Sequence, residues 1–176
     1  MADALADIIR GCQAGDRGAQ RQLFDRYRST VYRLAARLVG VSEAADLSQE
    51  VFLRVFTGIG RFRGRAAFDT WLYRLAVNEC LRHLGRRGRR PGPLAEEPAC
   101  PAAGPDHTLE QADLLERALH RLSAPLRAVF LLREADGLSY REIADVLGVA
   151  PGTVASQLSR ARSELQAFVR RVEQGH

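Results

Sequence analysis

Residues 137–165, GLSYREIADVLGVAPGTVASQLSRARSEL, read as two short helices separated by a tight turn, and this reading decides the fold class of the second half of the chain. Ser139 can cap a helix whose third position, Glu142, reaches back to the Ser139 amide, so two otherwise orphaned N–H groups are satisfied reciprocally. Ile143, Ala144 and Leu147 form the apolar side of that helix. Gly148 supplies the permissive backbone of the turn, Val149 plugs the angle between the helices, and Pro151 stands at a first helical position, where a missing N–H is tolerated. In the second helix Val154, Leu158, Ala161 and Leu165 recur at helical spacing and make one buried stripe. The opposite face keeps Thr153, Ser156, Gln157 and Arg160, the hydroxyl, amide and guanidinium groups that read base edges and grip phosphates. A helix-turn-helix that lays its second helix in a DNA groove accounts for the pattern. A plain helical hairpin with a solvated polar face accounts for it too.

The chain has 176 residues, enough for one domain or two small ones with a sizeable core. No apolar run approaches the length needed to cross a bilayer, and the first residues, MADALADIIRGCQAGD, carry acids where a secretion signal carries bases, so a cytoplasmic protein is expected, with no membrane insertion. Cys12, Cys80 and Cys100 form no Cys-x-x-Cys pair and signal neither a disulfide framework nor a zinc knuckle; they read as reduced thiols. The formal net charge is +5, and all 26 basic residues are Arg. Arg favours bidentate phosphate contact, although a composition bias of the source genome explains most of the preference. Location tells more than the total. Residues 1–90 hold 17 Arg against 9 acids, residues 91–108 hold 3 acids and no Arg, and residues 109–176 hold 9 of each. Residues 61–90 alone carry 9 Arg against Asp69 and Glu79, a footprint suited to a phosphate backbone or simply a solvated face.

The first ninety residues read as helices throughout. One spans roughly 2–14. Asp16 caps a longer one, with Leu23, Phe24, Tyr27, Val31, Leu34, Ala35 and Leu38 at helical spacing up to Gly40. Ser42 starts a third, whose apolar side is Val51, Phe52, Val55, Phe56 and Ile59. Asp46, Gln49 and Glu50 cluster on its early turns, where acids suit the helix dipole and could equally meet a partner. An Arg-rich loop with one aromatic, Gly60-Arg61-Phe62-Arg63-Gly64-Arg65, comes next; it suits unpaired nucleotides, because a base can stack on the ring while guanidinium groups hold its phosphate, and Phe62 can equally pack under its own loop. A fourth helix, about 70–87, buries Leu72, Leu75, Ala76 and Cys80 and displays Arg74, Asn78 and Arg82 on another face. Trp71 either stacks or fills the core. Cys80 and His83, three apart, are too few ligands to make a metal site.

Residues 91–108, PGPLAEEPACPAAGPDHT, hold five of the seven prolines and no periodicity, which marks an acidic, semi-extended linker. Thr108 and Gln111 make a second capping box opening a helix with Leu115, Ala118, Leu119 and Leu122; another, about 125–135, carries Leu126, Val129, Phe130 and Leu132 before Gly137 stops it. The last helix continues through Phe168 and Val172.

Three quoted stretches in order, Asp46-Leu47-Ser48-Gln49-Glu50-Val51-Phe52-Leu53, then Phe62-Arg63-Gly64 leading to Phe68-Asp69-Thr70-Trp71-Leu72-Tyr73-Arg74-Leu75-Ala76-Val77-Asn78, and finally Gly137-Leu138-Ser139-Tyr140 with Gly152-Thr153-Val154 and Leu158-Ser159-Arg160-Ala161-Arg162, make the chain resemble the extracytoplasmic-function group of bacterial sigma factors. The resemblance implies an all-α chain of two small helical domains: sigma domain two over 1–90, a flexible linker over 91–108, and sigma domain four over 109–176. It implies no enzyme, no cofactor and no metal. It implies as partners core RNA polymerase, through the beta-prime clamp helices and the beta flap, promoter DNA, and an anti-sigma factor. By the same resemblance Asp46, Gln49 and Glu50, supported by Leu47 and Phe52, bind polymerase. Arg61, Phe62, Arg63, Arg65, Trp71, Arg74, Asn78 and Arg82 serve the minus-ten element, with Phe62 and Asn78 capturing a flipped base. Thr153, Ser156, Gln157, Arg160 and Arg162 serve the minus-thirty-five element in the major groove.

One departure stands out: family members usually carry cations after Gly-Thr-Val, where this chain has Ala155-Ser156-Gln157. Two rival functions remain open on sequence, an autonomous helix-turn-helix regulator that binds duplex DNA as a dimer and a decoy that occupies polymerase without opening promoters. No nucleophile–base pair, phosphate-cradling glycine loop or ligand-spaced metal cluster supports an enzyme.

Overall fold

Asp16 accepts a hydrogen bond from the Gly18 amide at 2.7 Å and so starts the second helix, as its position ahead of an apolar repeat predicts. The computed structural model of the protein describes residues 2–88 and 107–174, and every regular element among them is helical. The order is α1 Ala2–Gln13, α2 Arg17–Val39, α3 Val41–Gly58, a single 3-10 turn Ile59–Arg61, α4 Phe68–Gly88, α5 His107–Arg121, α6 Ala124–Glu134, α7 Tyr140–Leu147 and α8 Pro151–Gln174. The chain divides into two compact units, Met1–Cys80 and Leu81–His176.

In the first unit α2 packs on both α1 and α3, and the 3-10 turn is held between α1 and α3. The approach of α1 to α2 requires Gly11, because a Cβ there would lie 2.6 Å from that of Ala19. Leu23, Val31, Leu34 and Leu38 of α2 meet Leu47, Val51 and Val55 of α3 in a core where each is nearly or fully inaccessible. The third helix does not begin at Ser42. Gly40, whose φ of 101° only glycine adopts freely, turns the chain so sharply that α3 starts at once with Val41 and has no side-chain cap.

The fourth helix is joined to this core by two kinds of contact. Phe68 packs on Tyr27 with ring centroids 5.3 Å apart. Glu79, with no exposed surface, is ion-paired to Arg54 of α3. Cys80, Ala76, Val77 and Leu72 are buried beside it, and Leu75 is half-buried. Burial, and then the Glu79 charge, push the Cys80 thiol up to about 12, so it stays protonated and unreactive. Cys12 is also buried and free; Cys100 and residues 91–106 of the expected linker lie outside the described residues. Among the described residues no group of His, Cys, Asp or Glu could hold a metal ion, and no helix is long and apolar enough to cross a membrane.

In the second unit α8 is the spine against which α5, α6 and α7 pack. Helix α5 is already under way at His107, so Thr108 belongs to its first turn; the side chains of Thr108 and Gln111 lie outside the described residues. The α5–α6 corner is pinned by buried Arg127, which donates to the carbonyl oxygens of Leu119 at 2.8 Å, His120 at 2.8 Å and Leu122 at 3.2 Å. The Leu119 and His120 carbonyls belong to the last turn of α5 and that of Leu122 lies just past it, where the helix leaves carbonyl groups open to a side-chain donor.

A carboxylate taken out of water must keep its counter-charge. Arg54→Met should therefore lower the stability of the full chain to urea by about 2 kcal/mol, less than a fully buried pair would lose because Arg54 is half exposed. Arg28→Met, which removes only an exposed i,i+3 pair with Asp25, should cost about 0.5 kcal/mol or less.

Candidate functional site

Helix α3 presents Ser42, Asp46, Gln49, Glu50, Leu53 and Thr57 outward along one stripe, all exposed. Behind them Leu47 and Phe52 are 2% and 4% exposed, so they set the position of the stripe and do not form its surface. Phe52 stacks edge-on to Phe24 at 4.8 Å. A shallow groove between α2 and α3 continues from Gln49 over Ser48, Phe24 and Tyr32. The sequence reading overlooked Leu53, which is 66% exposed and the one large apolar side chain in the acidic stripe. An unpaired apolar residue between Glu50 and Thr57 on an amphipathic helix was the available signal.

The Arg-rich loop and the start of α4 form a second surface. Phe62, Phe68 and Trp71 pack as three rings, 5.3 to 5.6 Å between centroids, with Phe62 edge-on to Phe68 and Trp71 tilted against both. Phe68 is buried, whereas Phe62 and Trp71 are half-buried. Phe62 and Trp71 thus each pack on a neighbour and keep an open side. Tyr27 lies under the cluster, and burial, followed by the Asp69 carboxylate, pushes its hydroxyl up to about 12, so it remains a neutral donor. Arg61, Arg63 and Arg65 are exposed around the loop, and Arg74, Asn78 and Arg82 are exposed on the same side of α4 as Trp71. The loop itself is fastened from a distance. Gln13 Nε2 donates to the carbonyl oxygens of Ile59 at 3.1 Å and Phe62 at 2.9 Å, a pair of contacts that the sequence reading did not find.

The third surface is the helix-turn-helix. Ser139 Oγ accepts from the Glu142 amide at 3.2 Å, and Glu142 Oε2 accepts from the Ser139 amide at 2.8 Å, completing the capping box. Gly148 closes α7 in the left-handed conformation, and α8 begins at Pro151. Ile143, Ala144 and Val146 are the buried residues of α7, while Leu147 and Val149 are only half-buried, because the short α7 turns its Val146 side to α6 and α8. Val154, Leu158, Ala161 and Leu165 are all buried, as the stripe predicts.

On α8 Thr153, Ser156 and Arg160 are exposed together and Gln157 is half-buried at their edge, its Oε1 enclosed without a hydrogen-bond partner. Ser156 Oγ turns back to the Thr153 carbonyl at 3.0 Å, and Arg160 pairs with Glu164 at 2.9 Å. Arg162 does not join them. Two residues beyond Arg160 it lies roughly 200° further round the helix, where it pairs with Glu134 of α6 at 2.5 Å.

Comparison with known proteins gives a consistent result. Residues 23–90 match the family model described as Sigma-70 region 2, and residues 112–165 match Sigma-70, region 4. The chain is 36% identical over 183 residues to the ECF RNA polymerase sigma-E factor of Haemophilus influenzae, across 94% of this chain and 96% of that protein. It is 37% identical to the RNA polymerase sigma-H factor of Pseudomonas aeruginosa, across 90% of each. Among solved structures, the sigma factor RpoE of Bartonella quintana in complex with the anti-sigma factor NepR superposes with a TM-score of 0.67 at 26% identity, covering 85% of this chain and 96% of that one. CnrH in complex with the cytosolic domain of CnrY gives a TM-score of 0.71 at 24% identity, covering 93% and 96%, a likeness of fold.

The capping box makes a pH-dependent contribution that can be measured. Hydrogen bonds from the Ser139 side chain and then its backbone hold the Glu142 carboxyl below its ordinary value of 4.5. A depressed value means stability that is present above 4.5 and is lost as the pH falls through the lower value of the folded state. Ser139→Ala should cost about 1 kcal/mol at neutral pH, and part of that deficit should vanish in acid, read from urea unfolding of the full chain at both conditions.

Proposed function

The chain belongs to the extracytoplasmic-function group of the sigma-70 family, and from that premise we propose how its surfaces divide the work of a promoter-specificity subunit of RNA polymerase. Sigma factors are transcription regulators rather than catalysts, and in this reading the chain carries out no reaction itself. Residues 1–90 act as domain two, 91–108 as the connector and 109–176 as domain four.

The observation that carries the reading is the arrangement of the first unit, which exposes an acidic stripe on α3 and an Arg-rich aromatic surface at the loop and α4, each backed by buried side chains. Asp46, Gln49 and Glu50 contact the clamp helices of the polymerase beta-prime subunit, and buried Leu47 and Phe52 support that contact. At the second surface, Phe62 and Asn78 receive a base extruded from the minus-ten element, with Trp71 beneath the ring of Phe62. Extrusion costs a few kcal/mol, which stacking and hydrogen bonds in a pocket offset. Arg61, Arg63, Arg65, Arg74 and Arg82 hold the phosphates of the melted strand. Thr153, Ser156, Gln157 and Arg160 address the minus-thirty-five element in the major groove, while Arg162, engaged by Glu134 on the other flank, serves the fold of the unit. The beta flap meets domain four, an anti-sigma factor restrains the free protein, and the site of action is the cytoplasm.

Run-off transcription with core polymerase on a genomic fragment library should give discrete start sites that depend on this chain. The double variant Phe62→Ala/Asn78→Ala should still bind core polymerase but lose opening at those sites. Absence of any discrete start would overturn the reading, and full opening by the double variant would favour a polymerase decoy.

The missing cations of the reading helix give a second expectation. Ala155→Arg with Gln157→Arg should raise the affinity of the chain for promoter duplex and steepen the fall of log K with log salt by about 0.9 for each further phosphate that is neutralised.

A further inference from the structure

Phe62 sits in a loop whose only regular feature is the single 3-10 turn Ile59–Arg61, and such a loop defines the position of a side chain poorly by itself. Its backbone contributes one bond, from the Phe62 amide to the Ile59 carbonyl at 3.0 Å. Ring packing on Phe68 and Trp71 holds the side chain, and two hydrogen bonds to the backbone come from Gln13, the last residue of α1, which reaches across 46 and 49 positions of sequence to the Ile59 and Phe62 carbonyls. One amide group uses both of its N–H donors, so it brackets Gly60 and Arg61 and sets the backbone of Phe62 directly. The placement of Gln13 depends in turn on the close approach of α1 to α2 that Gly11 permits. All of α1 lies before residue 23, where the match to region 2 begins.

We propose that Gln13 is a positioning residue for promoter opening: through the Ile59 and Phe62 carbonyls it holds the ring of Phe62 in the orientation that accepts the extruded minus-ten base. The proposal rests on the assignment of Phe62 made above. Gln13 touches no nucleotide. Its contribution is to reduce the freedom that the loop would otherwise lose when the base binds, so removing it weakens base capture without altering the acidic stripe of α3.

The test uses the full chain with core polymerase and compares Gln13→Glu, Gln13→Lys, Phe62→Ala and the double variant Gln13→Glu/Phe62→Ala. Glutamate keeps the size of the side chain but turns a carboxylate toward two carbonyl oxygens, whereas lysine keeps a donor that reaches both. Three quantities are read: affinity for core polymerase, opening of a duplex promoter, and binding of a single-stranded minus-ten oligonucleotide against one with the captured base changed. Gln13→Glu should lower opening and base selectivity about five- to tenfold, as expected for the loss of two modest hydrogen bonds, with polymerase affinity unchanged. Gln13→Lys should restore most of the loss. The double variant should be no worse than Phe62→Ala alone. If Phe62→Ala loses opening and Gln13→Glu does not, the role of Gln13 is overturned while the assignment of Phe62 stands. If Phe62→Ala opens promoters normally, that assignment fails and takes the proposal with it. A parallel loss of polymerase affinity and thermal stability in Gln13→Glu, or additive losses in the double variant, would reduce Gln13 to a general structural contact and overturn the proposal.

Discussion

A fully buried carboxylate governs the first unit. Glu79 has no exposed surface, and a negative charge in that position needs a counter-charge, which Arg54 supplies. The pair joins α3 to α4 at a particular register, since sliding either helix by one residue would separate the charges. Both outward surfaces inherit that register. Arg54 follows Leu53 on the acidic helix, and Glu79 follows Asn78 on the basic one. An apolar contact of equal area would permit several registers of nearly equal energy, because hydrophobic burial is non-directional. The ion pair therefore explains how two surfaces of opposite charge keep a defined spacing in a unit with a small core.

Around that pair the polar and aromatic side chains extend the same constraint to the loop. Phe68 lies on Tyr27 of α2, Trp71 and Phe62 lie on Phe68, and Gln13 fastens the Phe62 carbonyl to α1. Each helix of the unit thus contributes something to the position of one half-buried ring. In the role proposed for Phe62, that of receiving an unstacked base, being held beforehand is a gain, because ordering a side chain during binding subtracts from the interaction energy.

How much of this was legible in the sequence depended on whether the signal was local. The Asp16 cap, the Ser139–Glu142 box, the Val154 to Leu165 stripe and the end of α6 before Gly137 are all set within a few residues, and the structure has them. Ser42 is a good cap by type, but the positive φ of Gly40 turns the chain into the helix already at Val41, so Ser42 lies inside α3. Leu147 and Val146 exchanged roles since an eight-residue helix leaves its phase to its neighbours. Periodicity says which residues face inward but not what they meet, so neither the partner of Glu79 nor the reach of Gln13 could be read. Arg162, which the family motif groups with Arg160, lies on another side of α8 because each residue steps 100° round the helix.

The same geometry bears on the proposed division of work, in which the helix-turn-helix is not the main electrostatic anchor. Its unit carries as many acids as bases beyond residue 108, and its reading helix commits Arg160 to Glu164 and Arg162 to Glu134. Exposed pairs of this kind are weak, so Arg160 can leave its partner at little cost. The carboxylate stays behind, however, and opposes the approach of a phosphate. What the face then offers a groove is largely neutral: a hydroxyl from Thr153 and an amide from Gln157 whose carbonyl oxygen is turned inward. Groups of that kind discriminate between bases far better than they attract a polyanion. In the proposed reading attraction falls instead to residues 61–90, whose sequence holds nine arginines and two acids, one of which, Glu79, is ion-paired to Arg54 inside the fold.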